Sequence, residues 1–198
     1  MPKPLKIALI GLCAAAIAFG IVAVISYIPR HVQREFSGIE LLVTGENEYE
    51  ILQTLYIRID GRVRHGMFAA SPMFDGAIEV SAYDFTLDNP NLGITFLDGF
   101  ASGAPMFYPV LLHIDGSPVT RIETLGWIYT DANFSSLVIQ ITEWIARIGG
   151  GSSGSYYGRT TNRIIAAPAA NASDALELLD AYGFAWSDEL GVVHRPLQ

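Results

Sequence analysis

Leu55-Tyr56-Ile57-Arg58-Ile59-Asp60-Gly61 is the stretch that decides the fold. Leu55, Ile57 and Ile59 alternate with Tyr56 and Arg58, so an extended chain turns its apolar side chains one way and its polar ones the other. Asp60-Gly61 ends the run. An Asp-Gly pair between alternating segments is a hairpin cue, because the tight turn needs a positive φ that Gly and Asp tolerate. Three further Asp-Gly pairs, at 75–76, 98–99 and 115–116, also fall at or near the ends of alternating segments.

Working outward, the same alternation recurs. Ile78, Val80 and Ala82 alternate with Glu79, Ser81 and Tyr83, and Val110, Leu112 and Ile114 with Leu111, His113 and Asp115. Ile39, Leu41 and Val43 form an earlier strand, Ile94 and Phe96 another, and Leu125, Trp127 and Tyr129 a further one. One face in and one face wet is the habit of antiparallel sheets. Tyr56–Gly61 and Leu111–Gly116 share a pattern, as any two strands ending in a common turn do. Residues 135–149 fit either a helical stripe through Leu137, Ile141, Trp144, Ile145 and Ile148 or a β-branched strand; the run at 136–142 favours strand. A helix is expected from Ser173 as its cap, with Asp174 in the first turn, through Ala175, Leu178, Leu179 and Tyr182, to Gly183. The predicted fold is therefore mainly β: an antiparallel β-sandwich or curved-sheet domain with a short C-terminal helix, preceded by an N-terminal transmembrane helix.

That helix is read from IALIGLCAAAIAFGIVAVISYI, Ile7–Ile28, which carries no charge. As a helix it spans roughly 33 Å, enough for a hydrocarbon core of about 30 Å. The run is longer than the apolar core of a cleaved signal peptide, and Val24–Pro29 offers no Ala-x-Ala site, so an uncleaved signal anchor is expected. Leu12 before Cys13 speaks against lipoprotein processing, which wants a small residue there. Lys3 and Lys6 precede the segment and Arg30 and Arg34 follow it; with so short a tail, the N-terminus is expected in the cytoplasm. The expected plan is a cytoplasmic tail at 1–6, a single-pass anchor at 7–28, a juxtamembrane linker at 29–35, and an extracytoplasmic domain at 36–198 with a flexible Gly/Ser loop at 146–160.

All 20 acidic residues follow the segment, so the exported part is more acidic than the whole chain's net −8. Such a surface repels nucleic acid and anionic headgroups, which leaves the bilayer around 7–28 and an envelope protein or glycan as the expected partners. The single cysteine, Cys13, lies within the apolar segment, so the domain has no disulfide, thiolate metal site or Cys nucleophile.

The remaining chemistry is sparse. Gly150-Gly151-Ser152-Ser153-Gly154 matches Gly-x-Ser-x-Gly but sits in a Gly/Ser run, without the strand and helix that a nucleophile elbow requires. Tyr156, Tyr157 and Arg159 adjoin it. His31, His65, His113 and His194 are scattered without metal-ligand spacing. His113 and Asp115 share a strand face and could form an acid–base pair, as could any two polar residues on a wet face. Glu46, Glu48 and Glu50, and Asp84, Asp88 and Asn89, are oxygen-rich groups without the spacing of a calcium loop. Asn133-Phe134-Ser135 and Asn171-Ala172-Ser173 are sequons only in a eukaryotic secretory route. Trp127, Tyr129, Trp144, Tyr156, Tyr157 and Trp186 could supply a sugar or peptide platform or simply fill a core. No catalytic, cofactor or metal residue is assigned.

Phe74-Asp75-Gly76-Ala77-Ile78-Glu79-Val80 with Tyr83-Asp84-Phe85-Thr86, and Ile164–Ala169 leading into Ser173–Leu176, resemble stretches of small uncharacterised membrane-anchored proteins of spore-forming Gram-positive bacteria. The resemblance covers most of 36–182 and implies a bacterial, single-pass envelope protein, without an activity to carry over. The expected function is a non-enzymatic, membrane-tethered interaction domain. The alternative is a cell-envelope hydrolase or carbohydrate-binding domain whose site is assembled from dispersed carboxylates and aromatics.

Overall fold

The computed structural model describes residues 11–14, 16–20, 28–46, 48–64, 71–87, 89, 92–97, 99–114, 117–146, 156–187 and 189–195. Of the apolar segment, residues 11–14 and 16–20 are helical. No helix among the described residues is long and apolar enough to cross a membrane; most of 7–28 lies outside them.

Eight strands form one antiparallel sheet: β1 (Arg30–Gly45), β2 (Glu48–Arg64), β3 (Met73–Val80), β4 (Leu92–Thr95), β5 (Ala104–Ile114), β6 (Ser117–Thr130), β7 (Leu137–Ala146) and β8 (Tyr156–Ala167). Their order is β4-β3-β2-β1-β8-β7-β6-β5. Two four-strand meanders are thus joined by β1 and β8, with Ile39 opposite Ala166 and Leu42 opposite Arg163. The two edges, β4 and β5, lie against each other without a ladder, so the sheet curls into a nearly closed barrel. The curved-sheet alternative is the one realised.

The alternation read from sequence is the barrel's inside and outside. Leu55, Ile57, Ile59, Ile78 and Val80 are buried in one interior cluster with Phe74, Phe96, Tyr108, Leu125, Ile139 and Ile165. A second cluster coats the outside. There Ile39, Leu41, Val43, Val138 and Ile164 pack against α2 (Ala172–Ala181) and a hairpin of β9 (Phe184–Ser187) and β10 (Gly191–His194). Both faces of β1, β7 and β8 are therefore covered, which is why Leu137-Val138-Ile139 is apolar without alternation. Strand is the observed state there.

Two of the expected turns are not turns. Asp60-Gly61 lies within β2 and Asp75-Gly76 within β3, with Gly61 directly opposite Gly76. A Cβ on Gly76 would stand 2.3 Å from the Asp60 carbonyl oxygen and 2.4 Å from the Gly61 Cα. These glycines let two backbones approach where the sheet bends, a use of strand glycine that competes with the hairpin reading. Asp115-Gly116 and Asp98 lie outside the described residues; Ile114 and Ser117, which flank the former pair, are cross-strand partners.

Other boundaries differ as well. Residues 30–35, expected as a linker, are the first part of β1, paired from Arg30 opposite Val63. Arg30 also donates to the Asn133 Oδ1 at 2.7 Å and to the Ala132 carbonyl in the β6–β7 turn. Of the expected loop at 146–160, residues 156–160 belong to β8, with Ala146 opposite Tyr156. Residues 147–155, with the Gly-x-Ser-x-Gly match, lie outside the described residues. The cap of α2 is Asn171, two residues before Ser173: its side chain accepts from the Asp174 N–H, and Gly183 follows the helix at φ 75°.

Candidate functional site

Both ends of the barrel are plugged. At the end where β1 begins, Phe74, Phe96, Phe100 and Phe134 form a ring cluster, with centroids 4.8 Å apart for Phe96–Phe100 and 5.1 Å for Phe74–Phe134. Phe134 reaches it from a left-handed backbone, φ 51°, in the turn that Asp131 holds by accepting from the Asn133 and Ser135 N–H groups. At the other end, the segment after β3 folds inward through α1 (Asp84–Leu87), clasped by Thr86, whose hydroxyl accepts from the Val80 N–H and donates to the Tyr83 carbonyl. Phe85 then stacks edge-on against Tyr108, 5.5 Å away.

Beneath that cover lies the most charged group in the interior. Glu40, 0% exposed, sits in the apolar run Ile39–Leu42. Its Oε2 accepts from Gln53 Nε2 at 2.7 Å, and its Oε1 from Arg163 Nε at 2.8 Å and Tyr83 Oη at 3.0 Å. Arg163 Nη2 lies 2.6 Å from the same Oε1 and donates to Tyr83 Oη at 3.2 Å. Burial pulls the Arg163 guanidinium down, but its hydrogen bond to Glu40 and the nearby Tyr83, Glu40 and Glu143 outweigh burial and hold it above its ordinary value. Burial, and then the Glu40 charge, push the Tyr83 phenol well up. Glu40 accepts from three side chains, and a phenol held protonated is no nucleophile. The cluster latches β1, β2 and β8 to the segment after β3.

Among the described residues, clefts open on the outer layer at two places. One, about 330 Å³, is lined by Thr130, Asp131, Ser136, Leu178, Ala181, Tyr182 and His194. It holds a serine, a histidine and a carboxylate, yet they are not linked. Ser136 Oγ lies 2.9 Å from Tyr182 Oη, while the Asp131 oxygens are occupied within its own turn. The His194 ring lies between Tyr129, 4.4 Å away, and Phe184, 5.3 Å away. Burial there lowers His194 below its ordinary value, countered by a hydrogen bond to the Tyr182 backbone. Burial also raises Tyr182, and pushes Tyr129 up to about 12. A nucleophile needs a hydrogen-bonded base, and this serine has a phenol instead.

The second cleft, about 480 Å³, lies between the β1–β2 tip, α2 and the β9–β10 hairpin. Val43, Leu179, Phe184 and Val192 form its floor, with Glu46, Asp180, Trp186 and Arg195 also lining it.

The sequence candidates are dispersed. His113 is exposed on β5 opposite Pro118, and Asp115 lies outside the described residues. His31 meets Asp60 at 3.0 Å on an exposed face. Glu46, Glu48 and Glu50 are exposed around the β1–β2 tip, and among the described residues no group of three His, Cys, Asp or Glu is placed to hold a metal ion. Trp127 is exposed on the outer face, Tyr129 is buried and Trp186 half-buried; the side chains of Trp144, Tyr156 and Tyr157 lie outside those described. The Glu40–Arg163 pair was missed. Its signal was an acid and a base that each abut a run of aliphatic residues, Leu41–Val43 after Glu40 and Ile164–Ala167 after Arg163.

No protein-family model matches the chain, and neither a similar curated protein nor a similar solved structure was found.

Proposed function

We propose that this chain is a membrane-tethered domain held on the outer side of a bacterial cell membrane, and that it works by binding rather than by catalysis. The observation that carries this reading is the filled barrel. Among the described residues the interior is occupied by one packed apolar cluster, with aromatic rings at one end and the Glu40 latch at the other, which favours contact on the outer surface. Residues 7–28 supply the single-pass anchor, and the lysines before them favour a cytoplasmic N-terminus. Protease treatment of intact cells tests the topology: digestion of 35–198 without lysis is expected, and protection of that region rejects the exported orientation.

The cleft lined by Glu46, Asp180, Trp186 and Arg195 favours a second reading, a carbohydrate-binding domain, since carboxylates and a guanidinium beside an indole are suited to a polyhydroxylated ring. Asp180→Ala in a glycan-binding assay separates the two: only a sugar site loses retention.

A further inference from the structure

The two hairpins β5–β6 and β7–β8 are joined to each other over a short length only. β6 pairs with β7 from Thr130 opposite Leu137 to Gly126 opposite Ile141, and there the ladder stops. Beyond it β6 continues through residues 117–125 and β7 through 142–146, each paired, among the described residues, on its other side alone. Both hairpins carry a register shift at this level, between Met106 and Phe107 in one and between Gln140 and Thr142 in the other. Such irregularities bend and twist a strand pair, and here they end the pairing between the hairpins. The result is a fork with an open backbone edge on β6.

Two further observations mark the fork. Thr124 and Thr142, which flank its base, both have buried hydroxyls without a hydrogen-bond partner. Buried polar groups are nearly always satisfied, so two orphans at one place need an explanation. The β5–β6 arm also exposes Leu111 to 61% and Ile122 to 57%, although a two-stranded ribbon is marginal by itself.

We propose that the fork is a strand-addition site, taking an extended segment of a partner polypeptide along the open edge of β6. Only a polypeptide offers N–H and C=O groups at strand spacing, and an alternating apolar segment would cover Ile122 while its backbone pairs with the open edge. The buried hydroxyls of Thr124 and Thr142 mark where the ladder ends. Charge points the same way. Arg121 is paired with Glu123 on the arm, whereas the chain as a whole carries −8, so a neutral or basic segment is favoured over a second copy of this acidic chain. The inference rests on the reading of the domain as an interaction module and names the surface it uses.

The test places a photo-crosslinking residue at Ile122, and as a control at Arg62 on the other side of the barrel, in the full chain in its native membranes. The expected product is a crosslink from position 122, absent from position 62, to one segment of another polypeptide. A synthetic peptide of that segment should then slow amide exchange across 117–125. Ile122→Asp should weaken the peptide about tenfold, because a charge replaces the exposed apolar contact, without lowering the free domain's stability. Crosslinks only to a second copy or to lipid, no crosslink, a peptide that leaves 117–125 unprotected, or full affinity in Ile122→Asp overturns the proposal. Crosslinking is read whichever side of the membrane the domain occupies, so its failure is distinct from failure of the protease assay.

Discussion

Arg163→Met should be among the most damaging single changes in the barrel. The variant keeps most of the aliphatic stem but leaves Glu40, 0% exposed, without its cation; Gln53 and Tyr83 remain as neutral donors. Breaking a buried pair by removing one partner costs roughly 3–5 kcal/mol. The Arg163 side chain is 34% exposed, so solvent already shares its charge and the lower end applies, about 3 kcal/mol. With a urea slope on the order of 2 kcal/mol/M, the unfolding midpoint followed by far-UV circular dichroism should fall by about 1.5 M. Glu40→Gln in the same background removes the stranded charge. The double variant should therefore recover part of the loss, giving a coupling of about 2 kcal/mol between the two sites. Additivity within about 0.5 kcal/mol would refute the argument, because it would mean that the two side chains do not depend on each other.

Gly76→Ala drives a methyl group into the Asp60 carbonyl and the Gly61 backbone, neither of which can rotate away, and should cost about 3 kcal/mol in thermal or urea unfolding. Asn171→Ala removes the cap of α2 and should cost about 1 kcal/mol, with faster amide exchange confined to the outer layer. His194 is lowered in the folded state, so the unfolded chain binds the proton more readily. Its contribution is whole above about pH 6.5 and is lost as pH falls from there towards the folded value. Acid should accordingly loosen β9–β10 before the barrel, seen as exchange at 184–194, and His194→Phe should flatten that dependence.

Strand identity was legible because burial on one face writes itself into alternation: Leu55, Ile57 and Ile59 were read correctly and lie inside the barrel. The same logic failed where both faces are covered, since 136–142 then loses its period and only β-branching argued for strand. Asp-Gly misled at 60–61 and 75–76 because one dipeptide serves both a turn and a close approach between strands, and only the partner strand distinguishes them. Linker and strand could not be told apart at 30–35, where Val32 and Phe36 face the core but Gln33, Arg34 and Glu35 dominate the composition. The latch was out of reach for a different reason: Glu40 and Arg163 are separated by 123 positions and meet through the β1–β8 closure, a pairing no local pattern announces.

The early start of β1 has a mechanical consequence. Any pull arriving through residue 29 enters directly at Arg30, a residue already paired with Val63 and tied to the β6–β7 turn. A force along β1 loads its long ladder with β2 in shear, many hydrogen bonds at once, instead of peeling them singly. The barrel is thus gripped at its seam strand, and what tugs on the N-terminal segment turns or drags the whole body instead of unravelling its edge.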